Sequence, residues 1–212
     1  MSVPTVPLLL DLLREALAGG QRSALTVTSE SMRPLLRGGD RVILEGAGPA
    51  DLNPGDIVTV IHPSLPGQTL THRFYTMVDG DVPQLVTRGD RVIRFDVPSP
   101  AARLIGRVVV RRRGDYDLSL VEDPGAWLNR RLAELAREEV HQVAGRALPL
   151  TPTPAELDAV ARLAAANSRR ISFRFYRHLT RYRAAWIARG VTGQTITAGR
   201  AEWQEVHVCR CP

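Results

Sequence analysis

Hydrophobic period changes near Asp123-Pro124-Gly125, and the change limits the architectures open to this chain. Before it, apolar and β-branched residues come in short runs at 24–27, 41–45, 56–61, 70–78, 84–87 and 104–111. Segments rich in Gly, Pro, Asn and Asp separate the runs, a pattern that reads as strands closed by turns. Such spacing predicts a mainly β domain, an irregular antiparallel barrel or sandwich.

After the change, Trp127-Leu128, Leu132, Leu135-Ala136 and Val140 recur at three and four, which predicts a helix ending near Gly145. A stiff connection, Leu148-Pro149-Leu150-Thr151-Pro152-Thr153-Pro154, leads into a second helix capped by Thr153. A third helical stretch, 167–190, interleaves Phe173, Tyr176, Tyr182 and Trp186 with seven arginines and no acid. At the other end, apolar residues at helical spacing over 8–17 stop at Gly19-Gly20. The expected organisation is therefore an N-terminal amphipathic helix (1–21), a β domain (22–123), a basic α-helical module (124–190) and a tail (191–212).

Charge follows the same division. Residues 1–123 hold 14 arginines against 15 acids, whereas 124–212 hold 14 against 7, so the net charge of +6 belongs to the second half. No run approaches the roughly 20 apolar residues that span a bilayer, and 6–10 lacks the basic start and cleavage site of a secretory signal. These readings point to the cytoplasm. Cys209 and Cys211 do not make a disulfide framework, and with His207 they are too few and too close to the terminus to argue for a metal; no cofactor is implied.

One polar turn stands out against this scaffold. Thr28-Ser29-Glu30-Ser31-Met32-Arg33-Pro34 leaves the first β-like run and presents Ser31, with Gly39-Asp40-Arg41-Val42 following. A serine performs acyl transfer only with a base in hydrogen-bond reach and donors facing the developing oxyanion. All 28 of the Lys+Arg residues are arginine, so a lysine base is ruled out, and arginine is effectively never deprotonated. His72, on the strand-like run 70–78, is the candidate base. Two carboxylates, Asp90 and Asp96, follow in Thr87-Arg88-Gly89-Asp90-Arg91-Val92-Ile93-Arg94-Phe95-Asp96.

Over 22–110 these boxes resemble, in order, those of the signal peptidase I family: Ser-Met-x-Pro, Gly-Asp-x-Val, a lysine or histidine base, and a later Gly-Asp turn. The match is to the Ser/His/Asp members, as in the endoplasmic-reticulum and archaeal signal peptidases. The resemblance implies a β fold of the LexA/signal peptidase type, with Ser31 as nucleophile, His72 as general base and Asp96 as the acid that orients it. Asp90 remains the rival for that third role. Ser29 matches the hydroxyl that joins the Ser31 amide in holding the oxyanion, and Met32 and Pro34 match the substrate-facing box itself. Glu30 departs from the small residue usual in relatives, and the family's membrane anchor has no counterpart here.

The expected function is thus a serine endopeptidase acting on a leader or precursor peptide. Relatives accept small side chains before the cleaved bond, while Glu30 beside the nucleophile points to basic ones, and both preferences stay open. The alternative is an inactive protein of the same fold that binds a peptide or nucleic acid. Residues 169–189 read three ways: an aromatic stripe packed on the preceding helix, a docking surface for an acidic partner or an anionic lipid surface, or a nucleic-acid binder. No nucleic-acid motif supports the last. For 8–17 a packed helix and a surface-binding helix are both open.

Overall fold

The structure, a computed structural model, describes residues 6–65, 67–91, 95–123 and 125–144. The chain opens with helix α1 (Val6–Ala18) and continues through strands β1 (Ser23–Thr26), β2 (Arg41–Glu45), β3 (Ile57–Ile61), β4 (Thr69–Val78) and β5 (Gln84–Arg88). It then forms β6 (Ser99–Pro100), β7 (Leu104–Arg113), β8 (Tyr116–Ser119) and helix α2 (Gly125–Ala144). The result is a mainly β domain, a curled half-barrel sheet followed by a short α-helical segment.

Every run expected to be extended is a strand or overlaps one, whereas β6 and β8 were not expected. β8 is half polar and only 4 residues long, and β6 has 2 residues, one of them proline, so neither leaves a periodic trace in the sequence. The helix expected to begin at Thr153, the stretch 169–189 and the group His207, Cys209 and Cys211 lie outside the described residues.

All strand pairings are antiparallel, in the order β1-β2-β7-β3-β4-β5-β6. β7 organises the sheet. One of its edges carries β2, while the other is shared by β3 along its first half and β8 along its second. Register shifts at Ile43/Leu44 and Thr59/Val60 mark irregularities where β2 and β3 meet β7, and such bulges sharpen strand bend and twist.

The two faces of the sheet bury separate apolar groups. On β3, Ile57 joins the larger core with Val42, Leu44 and Val108, while Val58 and Val60 join Phe74 and Leu85 on the other side. The period of two in a strand produces this division. α1 adds Leu17 to the larger core, with Leu10 and Leu13 partly buried against it. Its end is closed by Gly20, whose φ of 80° suits glycine, with Gly20 N–H donating to Leu17 O and Gln21 N–H to Ala16 O. Leu8, Leu9 and Leu12 remain exposed on its far side. α2 places Leu128, Leu132 and Leu135 in the same core as the sheet, each contributing about 1.5–3 kcal/mol by burial.

Candidate active site

Alternation along β4 puts two polar residues on opposite faces of a buried strand. His72 pairs across from Val58 and Arg73 from Ile57, so the imidazole lies on the Val58 side and the guanidinium on the side of the larger core. Both are buried, with exposures of 5% and 1%. A buried polar side chain needs partners, and both have them.

Ser31 sits in a loop between β1 and β2 that is closed at its base. Val27 N–H donates to Asp40 O at 2.8 Å, and Gly39 N–H returns to Val27 O at 2.9 Å. Asp40 is buried and receives both forks of Arg113, at 2.7 and 2.8 Å, along with the Arg37 amide at 2.9 Å. Met32, Leu35 and Leu36 pin the loop from below by entering the larger core. The Arg91 amide also donates to Ser31 O at 2.8 Å, which ties the serine backbone to the turn after β5.

These constraints bring together residues 41 and 24 positions apart. Ser31 Oγ lies 2.8 Å from His72 Nε2, and His72 Nδ1 lies 2.6 Å from Asp96 Oδ2. An ionised carboxylate only accepts, so the proton belongs on Nδ1 and Nε2 is left to accept from the Ser31 hydroxyl. Asp96 Oδ2 also accepts from Thr87 Oγ1 at 2.7 Å. Ser29 Oγ lies 3.0 Å from Ser31 Oγ, and among the described residues the Ser31 amide has no hydrogen-bond acceptor. The geometry permits a hydroxyl to hand its proton to a neutral imidazole while two further donors, the Ser31 amide and the Ser29 hydroxyl, stand beside the attacking oxygen.

Asp90, the rival orienting acid, is placed elsewhere. Both its oxygens take the Arg73 fork, at 2.7 Å each, on the opposite side of β4 from His72. Arg73 Nη1 then donates to Gly55 O and to Asn129 Oδ1 of α2, both at 2.7 Å. Burial draws the Arg73 guanidinium toward neutrality, but the charge and hydrogen bonds of Asp90, together with Tyr75 and Asp56, leave the arginine above its ordinary pKa. Asp90 is thus committed to a buried ion pair, which sequence order alone could not distinguish from a partnership with His72.

The three substrate-side candidates differ. Met32 is only 1% exposed and is a core residue, a correction to its expected place on the substrate-facing surface, because the turn that presents Ser31 directs the next side chain inward. Pro34 is half-buried after a cis Arg33–Pro34 bond. Glu30 is exposed, but its carboxylate pairs with Arg33 and accepts the Gly38 amide at 3.2 Å, so it serves the turn's own structure. Thr87 opens the box that carries the two aspartates, yet the sequence assigns it no role. Its only trace is a β-branched hydroxyl at a strand end.

Among the described residues, no group of three or more His, Cys, Asp or Glu could hold a metal ion, and no helix is long and apolar enough to cross a membrane. No protein-family model, curated protein or solved structure matches the chain.

Proposed function

We propose that the chain is a serine endopeptidase of the signal-peptidase type that cleaves a leader or precursor peptide. The observation that carries this reading is the continuous hydrogen-bond relay from Ser31 Oγ through His72 to Asp96, at 2.8 and 2.6 Å. His72 takes the Ser31 proton as the oxygen attacks the peptide carbonyl and returns it to the leaving amine. Asp96 fixes the tautomer and steadies the imidazolium, and the Ser31 amide with the Ser29 hydroxyl receives the oxyanion, each such donor contributing on the order of 3–4 kcal/mol.

The order of the boxes along the chain and the curled antiparallel sheet support placing it in the LexA/signal peptidase type of fold, and a cytoplasmic site of action is part of the same proposal. Arg33 neutralises Glu30, which favours the small-residue preference of relatives over a preference for basic substrates. The test is covalent labelling by a fluorophosphonate probe. Labelling of the intact chain that disappears in Ser31→Ala supports an activated serine; labelling that survives it, or none at all, overturns the assignment.

A further inference from the structure

Asp96 is not carried by a regular element. It follows the turn after β5, and an orienting carboxylate on a loop needs something to hold it, because a displacement of about 1 Å costs an active site on the order of a hundredfold in rate. The structure supplies two attachments on successive residues of β5. On one face, Thr87 O accepts the Asp96 amide at 2.9 Å, while Thr87 Oγ1 donates to Asp96 Oδ2 at 2.7 Å. Residue 87 is therefore bound to both the backbone and the side chain of residue 96.

On the other face the neighbouring pair meets through rings and charge. The Arg88 guanidinium lies 5.6 Å from the Tyr75 ring centroid and 5.9 Å from that of Phe95, and the two rings meet edge to face at 4.9 Å. The strand's period of two accounts for the division: Thr87 stands across from Phe74, on the His72 side of the sheet, and Arg88 stands across from Arg73. Dipeptide 87–88 thus clasps dipeptide 95–96 from both sides.

We infer that Thr87 is a positioning residue for the relay, and that its hydroxyl holds the Asp96 carboxylate on His72 Nδ1. The inference rests on the peptidase reading for its consequence in rate, but the geometric part stands by itself. The Thr87 hydroxyl and the imidazole N–H converge on the same carboxylate oxygen, Oδ2. With its side chain only 15% exposed, Asp96 has little water to replace a lost donor. Without the hydroxyl, the carboxylate keeps its backbone tie but loses the bond that fixes its rotation.

Thr87→Val keeps the shape and the backbone bond while removing only the hydroxyl, and Thr87→Ser restores it. In the full chain, Thr87→Val should slow fluorophosphonate labelling of Ser31 at least about tenfold, with Thr87→Ser within about twofold of the parent. The low-field proton resonance of His72 Nδ1–H is the second readout. It should exchange with solvent several-fold faster in Thr87→Val and return to the parent behaviour in Thr87→Ser. An unchanged labelling rate in Thr87→Val overturns the inference, as does a slowed rate with an unaltered Nδ1–H resonance, which would assign the residue to folding alone. If the parent chain never labels, the peptidase reading has failed by itself. The resonance then decides: unaltered exchange in Thr87→Val overturns the tether, and faster exchange that Thr87→Ser restores upholds it.

Discussion

Arg73, the residue after His72, closes both forks of its guanidinium on Asp90 at 2.7 Å, on the face of β4 that the imidazole does not share. Two carboxylates six positions apart in sequence are thereby given different partners. Asp96→Asn should lower the rate of fluorophosphonate labelling by about a thousandfold or more, since an amide no longer holds the needed tautomer, while leaving the unfolding midpoint near that of the parent. Asp90→Asn should do the reverse in kind. Leaving Arg73 charged and poorly paired in the interior costs about 3–5 kcal/mol, so the urea midpoint falls first. Parallel labelling and unfolding series separate the two.

Ser31→Ala and His72→Ala should each reduce turnover of a cleavable peptide by more than about a thousandfold, and the double variant should be little worse than either alone. Residues that act as one unit give such non-additive losses. Independent, multiplying losses, read from single-turnover cleavage, would contradict a shared proton path.

Gly55 should tolerate no side chain. Its φ is 108°, and a Cβ built there would lie 2.7 Å from the Cβ of Ala133 on α2. Gly55→Ala therefore combines backbone strain with overpacking, and a loss of about 1–3 kcal/mol in thermal or urea unfolding is expected. Replacing Ala133 by glycine in the same chain should relieve the overpacking part of the loss and leave the part due to backbone strain.

Acid should weaken the β7–β8 hairpin through Asp117. The forked hydrogen bond from Arg112 is the first cause holding this carboxyl below its ordinary range. A group whose pKa is lower when folded adds stability above the ordinary carboxylate range and loses it as pH falls through the folded value. The pair is exposed, so the contribution is small and screened by salt. Asp117→Asn should thus lower the urea midpoint slightly at neutral pH, with the gap to the parent closing in strong acid and in molar salt.

The mainly β class can be read from the sequence because six of the strands, β1 to β5 and β7, stand out as short apolar and β-branched runs between turn-rich segments, and β2 at 41–45 matches its run to the residue. β8 was missed although Gly114-Asp115 supplies a two-residue hairpin turn directly before it; its four residues bury little that would mark them. At the site, Ser31, His72 and Asp96 were nominated by box order, and order is a one-dimensional quantity. It carries no information on which side of a strand a side chain leaves, so Asp90 stays a rival to Asp96 until β4 divides His72 from Arg73. Thr87 was invisible for a related reason: its partner lies nine residues away, across a turn, and nothing local announces the pairing.

The helical segment after the sheet has a practical corollary. Leu128, Leu132 and Leu135 help fill the larger core, and Asn129 supplies an acceptor to the Arg73 guanidinium. The boundary suggested by the change of period therefore makes a poor place to cut. Truncation after Asp123 would strip the underside of the sheet and remove one of the acceptors of Arg73, so the smallest piece worth purifying ends beyond α2.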